Sequence, residues 1–327
     1  MNTDVTTDPI SDQPNAGAAP GSRPEDGSPR IVVGYDGSAS SKLALDWAVE
    51  TAQEMGARLA IVHGVSMAAT TTYPAMDYAA AQPYIESAAQ QLVAEGAARA
   101  GTTLETERIA TQYWMGSPAG QIIEESKDAD LVVVGTRGRG RVLGGLLGST
   151  SYSVAAHAHC PVVIVRGPAG SDDDEDLPAP THPGSGHPVI AASDGSEPSE
   201  RAVDAAAAVA VRTGAPLHII RVIQPIGPNA WVFAEGGNDL VDDRAVLAGA
   251  ERSLDEVAQA VSTKHPDLEV TTQALLGDPG SVIAEQGDDA GLIAVGSRGR
   301  GGFAGMLLGS VSHRVIHEAL CPVMVIR

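Results

Sequence analysis

The chain repeats itself. The stretch VVVGTRGRGRVLGGLLGST, Val132 to Thr150, returns as IAVGSRGRGGFAGMLLGSV, Ile293 to Val311. The segments around it pair in the same order: RIVVGYDGSASSKLALDWAVETAQEMGARLAIVHGV with PVIAASDGSEPSERAVDAAAAVAVRTGAPLHIIRVI, MGSPAGQII with LGDPGSVIA, and CPVVIVR with CPVMVIR. Through the glycine-rich loop and the closing strand, roughly half the positions are identical, well above chance for an internal comparison. A fold that suits one half must therefore suit the other, and 327 residues divide into two domains of ordinary size.

Within a copy, strand and helix patterns alternate. Ile31 to Tyr35 is a continuous apolar run of strand length. The next segment sets Ala44, Trp47, Ala48, Thr51, Ala52 and Met55 on one helical face. Gly56 and, in the second copy, Gly214 supply the left-handed residue that stops this helix. RLAIVHG is the next strand, QPYIESAAQQLVAEGAARAG the next helix and TLETERIAT an alternating strand. Ser117-Pro118 and Asp278-Pro279 open further helices, with a side-chain oxygen to cap and a proline at the first position. DLVVVG and PVVIVR are nearly all apolar, as strands are when helices cover both faces of a parallel sheet. The expected fold is α/β: two tandem doubly wound, Rossmann-like domains, each a five-stranded parallel sheet with four helices.

Domain limits follow from composition. Residues 1–29 are rich in Pro, Gly, Ser, Asp and Asn and carry almost no large apolar side chains, so they read as a disordered tail. Residues 30–166 form the first domain. Residues 167–187, GPAGSDDDEDLPAPTHPGSGH, read as an acidic flexible linker, and residues 188–327 form the second domain. Thr70 to Tyr84 and Ile226 to Leu240 follow the second strand of each copy, differ strongly, and read as mobile flaps near the ligand edge.

The formal charge of −20 would repel a phosphate backbone over most of the surface, and aromatics at 3% leave few rings for stacking, so nucleic acid is excluded as a partner. Neither a signal peptide nor an apolar run long enough to cross a bilayer is present, which gives the expectation of a cytoplasmic protein with no membrane association. Cys160 and Cys321 occupy matching positions before a strand and read as small buried hydrophobes. His157, His159 and Cys160 have metal-ligand spacing, but the second copy has Glu318, Leu320 and Cys321 there, which argues against a metal site.

Positive charge is concentrated where the glycines are: Arg137, Arg139, Arg141, Arg298 and Arg300 all lie in the two repeated loops. Each loop leaves the carboxyl end of a strand and enters a helix at Ser149 or Ser310. A helix N-terminus offers unpaired amide donors, and glycines let backbone wrap an anion without interference from Cβ atoms, so the pattern points to phosphate. The spacing Gly135, Gly138, Gly148, Ser149 is kept as Gly296, Gly299, Gly309, Ser310. Asp36 and Asp194, in the turns YDGS and SDGS after each first strand, lie at the same sheet edge. They could accept a ribose hydroxyl, hold a metal that bridges phosphates, or serve only as turn and cap residues.

With these features assembled, the chain resembles the universal stress protein family in its tandem, two-domain form, over nearly everything from Arg30 to Arg327 except the linker. Both copies satisfy the family's ATP-binding pattern, G-x2-G-x9-G-(S/T). The resemblance implies a fold like that of the adenine nucleotide α-hydrolases and two ATP sites, with magnesium carried by the ATP near Asp36 and Asp194. Carried over position by position, Gly135, Gly138, Gly148, Ser149 and Thr150 would hold phosphate and ribose, as would Gly296, Gly299, Gly309, Ser310 and Val311; from their charge, Arg137 and Arg298 are expected to meet the phosphates. Gly34 and Ala192 fall where the family lines its adenine pocket. Val222 matches an adenine-contacting valine, whereas its partner in the first copy is Gly64, with Val65 one place later. The family also implies antiparallel pairing through the final strands, within the chain or in a homodimer.

The functional expectation is an ATP-binding, nucleotide-dependent regulator of a stress response, acting on an unidentified protein partner, with at most slow hydrolysis. No Walker lysine and no second acid to orient water accompany the loops. Two alternatives stand beside it. One is an ATP-cleaving or adenylate-forming enzyme of the PP-loop class, whose SGGxDS loop YDGSASS and SDGSEPS match in place but not in their paired glycines. The other is an interaction scaffold with vestigial pockets.

Overall fold

The computed structural model describes residues 23–24, 26–66, 78–136, 147–166, 179–184, 186–225, 243–300 and 307–327. The first half runs β1 (Arg30–Gly34), α1 (Ala39–Met55), β2 (Arg58–Val65), α2 (Tyr78–Ala100), β3 (Ile109–Met115), α3 (Pro118–Glu125), β4 (Leu131–Gly135), α4 (Ser149–His157) and β5 (Val162–Val165). The second half repeats it as β6 (Val189–Ala192), α5 (Glu197–Thr213), β7 (Leu217–Ile223), α6 (Asp243–Lys264), β8 (Val270–Leu276), α7 (Pro279–Glu285), β9 (Leu292–Gly296), α8 (Ser310–Glu318) and β10 (Val323–Ile326).

The ten strands form one sheet in the order β3-β2-β1-β4-β5-β10-β9-β6-β7-β8. Every pairing within a half is parallel. The halves meet through an antiparallel pair, β5 with β10, in the register Val323 to Ile164, Met324 to Val163 and Val325 to Val162. The final strands thus pair inside one chain, and both are interior to the sheet. Alternate residues of each strand feed two cores. Ile31, Val33, Leu59 and Ile61 face α1 and α2, whereas Val32, Val62, Val132 and Val134 face the layer of α3 and α4. Each such fully buried Val, Leu or Ile contributes about 1.5–3 kcal/mol, which is why these strands tolerate no polar interruption.

Local signals act where the sequence placed them. Gly56 (φ 62°) and Gly214 (φ 67°) end α1 and α5 in the left-handed conformation. The Ser117 hydroxyl accepts from the Gly120 amide and the Asp278 carboxylate from the Ser281 amide, each with a proline at the start of the helix. Across the seam the last arginine of each half caps a helix of the other. Arg166 donates to the carbonyls of Ile316 (2.7 Å) and His317 at the end of α8, and Arg327 donates to the Ala158 carbonyl (3.3 Å) at the end of α4. A cation at a helix C-terminus satisfies otherwise orphaned carbonyls and complements the helix dipole.

Four expectations need correction. The TLETERIAT strand starts only at Ile109; residues 106–108 make a 3-10 turn, from which Arg108 donates to the Ala57 (2.7 Å) and Ala52 carbonyls that end α1. The second helix starts at Tyr78, earlier than expected, and carries Pro83, so residues 78–84 are helix and not flap; residues 67–77 and the whole second flap, 226–240, lie outside the described residues. The end of the tail docks: Asp26 pairs with Arg58 and Arg23 with Asp130, each at 2.8 Å.

The end of the linker also docks. His182 packs on the Trp47 ring with centroids 5.3 Å apart, reaches the Thr51 hydroxyl at 3.2 Å and lies 3.5 Å from the Glu54 carboxylate. Pro183 is pressed against Gly291, where an added Cβ would fall 2.5 Å from its Cα. Composition marked this segment as a flexible linker, but it could not reveal that α1 supplies a surface for His182. Residues 167–178, which hold the acidic run, lie outside the described residues.

Candidate functional site

The strand order reverses between β1 and β4, and again between β6 and β9, so the loops that follow these strands diverge and leave a crevice at their carboxyl ends. In the second domain the crevice is a cavity of about 570 Å³. Ala192, Asp194, Val222, Gly296, Arg298, Gly299, Gly309, Ser310 and Val311, the residues singled out by the repeat and the resemblance, all line it. One end is cationic and rich in amides: Arg298, Gly299, Arg300, Gly309 and the first turn of α8. The other is apolar, formed by Ala192, Ile220, Val222, Ile223, Pro279, Ile283 and Val295.

Several bonds build the cationic end. The Gly309 amide donates to the Ser297 carbonyl at 2.7 Å, which brings the loop back onto the end of β9. The buried Ser312 hydroxyl donates to the Gly296 carbonyl at 2.6 Å, pinning the first turn of α8 to the same strand end. Asp194 fastens the loop from the side. Its Oδ1 accepts from the Ser196 amide (2.9 Å) and hydroxyl (2.5 Å), and its Oδ2 accepts from the Arg300 amide (2.9 Å). Burial works to raise the Asp194 carboxyl, but these bonds and one involving Ser199 outweigh it and hold the group below the ordinary carboxylate range. Gly299 must be glycine, since any Cβ there would fall against Asp194 Oδ2. The ribose, metal and turn roles left open for this acid thus acquire a fourth, as the clasp of the glycine loop.

The first domain builds the same frame. Asp36 Oδ1 accepts from the Ser38 amide (3.0 Å) and hydroxyl (2.6 Å), across a turn whose Gly37 has φ 75°, as Gly195 has φ 76°. The Gly148 amide donates to the Thr136 carbonyl at 2.8 Å, and the Ser151 hydroxyl donates to the Gly135 carbonyl at 2.6 Å. Ser149 and Thr150 form the first turn of α4. Gly135 and Gly296 end their strands directly beneath the starts of α1 and α5; an added Cβ would fall 2.6 Å from the Ser40 carbonyl oxygen in one and 2.8 Å from the Pro198 carbonyl carbon in the other. Gly34 closes β1 at the same edge. Arg137 and Gly138 lie outside the described residues.

The sequence reading missed Ser151 and Ser312, and also Ser41 and Ser199, which accept from the Asp36 and Asp194 amides at 3.3 Å. The signal was available, because each pair is serine in both copies. Cys160 and Cys321 take no part in the cavity, and burial pushes both thiols up to about 12.

A model of the universal stress protein family matches residues 28–166 and again residues 187–327. A universal stress protein of Mycobacterium tuberculosis is 34% identical over 302 residues, covering 91% of this chain and 96% of the relative. One of Mycolicibacterium smegmatis is 36% identical over 313 residues, with the same coverage. Among solved structures, a universal stress protein from Archaeoglobus fulgidus has a TM-score of 0.63 at 24% identity, covering 92% of this chain and 96% of that one, which shows a shared fold.

Proposed function

The chain belongs to the universal stress protein family, and from that premise we propose that it is an ATP-binding regulator of a cytoplasmic stress response. The observation that carries this reading is the two-ended cavity of the second domain. Its length of charge, from amides to arginines, suits a polyphosphate, and its apolar end suits a flat base. The volume of about 570 Å³ lies in the range of sites that enclose small cofactors. When bound, ATP would supply the ligand whose presence or absence a partner reads. The glycine loop and the first turn of α8 would hold its phosphates, and Ala192, Val222 and Ile283 would flank the base.

Asp194 Oδ1 already accepts two protein hydrogen bonds and Oδ2 one, which leaves Oδ2 as the oxygen with a free acceptor site and gives the metal at most one ligand from this side chain. Magnesium would therefore arrive on the triphosphate, as it does where phosphates and water complete its octahedron. No helix among the described residues is long and apolar enough to cross a membrane. Pairing of two chains would use a surface other than the final strands, which already pair with each other.

The direct test is to denature the purified protein and quantify the released nucleotide per chain by ion-pair chromatography. Retained ATP is expected. AMP or ADP in its place would favour the ATP-cleaving alternative. A protein released empty that also bound no added ATP with magnesium would leave the scaffold reading in the lead.

A further inference from the structure

The two domains share the hydrogen-bonded frame at the start of α4 and α8 and differ where α3 and α7 meet the first two strands, and two glycines carry the difference. Gly34 of the first domain stands where the second has Ala192, and Gly64 stands where the second has Val222. In the second domain both side chains line the cavity, together with Pro279 and Ile283 of α7. In the first domain α3 stands where those two side chains would begin. An added Cβ on Gly64 would fall 2.5 Å from the Cα of Pro118 and 2.8 Å from its Cβ, and one on Gly34 would fall 2.9 Å from the Ile122 side chain. Pro118 and Ile122 are the repeat partners of Pro279 and Ile283. Two contacts one helical turn apart thus agree: α3 is seated on the bare backbone of β1 and β2, whereas between α7 and β6 and β7 the second domain carries a methyl and an isopropyl group that line the cavity.

We propose that base selectivity resides in the second domain alone, and that residues 34 and 64, with their partners 192 and 222, are the positions that set it. The inference rests on the nucleotide reading above and deepens it by assigning the base-reading step to one of the two sites. The apolar wall of the second domain offers a slot for a purine ring. In the first domain Pro118 and Ile122 stand within 3 Å of where those side chains would begin, and on this proposal α3 so seated closes the corresponding slot. A ligand there is held through its phosphates or not at all.

The test titrates the full chain calorimetrically with adenosine, with ATP and with inorganic tripolyphosphate. One adenosine per chain is expected, displaced by ATP, with ATP preferred over tripolyphosphate by about tenfold at that site, the worth of about 1.4 kcal/mol of base contact. Ala192→Phe, which fills the slot, should weaken adenosine by at least about tenfold, a loss of about 1.4 kcal/mol, while leaving the circular dichroism spectrum unchanged. Should that variant misfold, the stoichiometry of the unmodified chain still decides. Two equivalent adenosines per chain would overturn the proposal, as would ATP bound with no preference over tripolyphosphate. If none of the three ligands binds, the nucleotide reading itself falls, and that outcome is distinct from the other two.

Discussion

Between the two crevices, the glycine-loop side and the apolar side have followed different rules. At the glycine-loop side the described frame is duplicated: Ser151 to the Gly135 carbonyl and Ser312 to the Gly296 carbonyl are both 2.6 Å, and the Asp36 and Asp194 turns match bond for bond around Ser38 and Ser196. At the apolar side a glycine pair stands in place of an alanine-valine pair, and in the first domain the covering helix is packed directly on the strand backbone. The lesson is physical. Hydrogen bonds to backbone carbonyls and amides depend on angle and leave little room to drift, whereas an apolar contact can be rebuilt by moving a helix onto a smaller residue.

The comparison can be broken most sharply at Gly64. A Gly64→Val chain must lift Pro118 off the strand and should lose about 3 kcal/mol of stability in urea denaturation, since the neighbour is backbone and cannot swing aside. The reciprocal Val222→Gly should cost about 2 kcal/mol, through lost contact and a freer unfolded chain. An unchanged midpoint for Gly64→Val would mean that α3 rides over β2 freely and that the two base sides are interchangeable.

Smaller effects should test the shared half. Ser151→Ala and Ser312→Ala each remove a buried bond to a glycine carbonyl and should each cost about 1.5 kcal/mol, alike to within about 0.5 kcal/mol. A large disparity in denaturation midpoint would show that the two frames differ in strength despite their matched distances.

The smallest effect concerns pH. The folded Asp194 carboxyl lies below its ordinary value, so its contribution is present at neutral pH and above the unfolded value near about 4. It is lost as pH falls from there through the depressed folded value. Asp194→Asn should therefore cost about 1 kcal/mol at pH 7. Melting curves of the two proteins should converge as the pH is lowered through the carboxylate range; a constant gap would show that the carboxylate charge is not what fastens the loop.

The duplicated frame was largely legible in the sequence because its determinants are local or repeated. Apolar runs such as Leu131 to Gly135, the stop signals at Gly56 and Gly214, and the spacing of Gly135, Gly148 and Ser149 act through their near neighbours or recur in the second copy. The seat of Pro118 on Gly64 was not legible, because it joins residues 54 apart through the position of a whole helix. Nor was the docking of His182 on Trp47, since a proline-rich segment shows no period from which a partner could be read. Asp194 is intermediate. Its turn was readable from SDGS, but its bond to the Arg300 amide exists only once β6 and β9 lie side by side.

The antiparallel seam of β5 and β10, with Arg166 and Arg327 each reaching across it, lies between two parts of one polypeptide. Two separate chains joined by such a surface would come apart on dilution, and their pairing would track how much protein the cell makes. Tethered halves face each other at an effective concentration fixed by the linker, whatever the expression level. A partner that grips both halves therefore always meets them in a one-to-one ratio and at a constant distance, so the strength of its grip can report ligand occupancy without also reporting abundance.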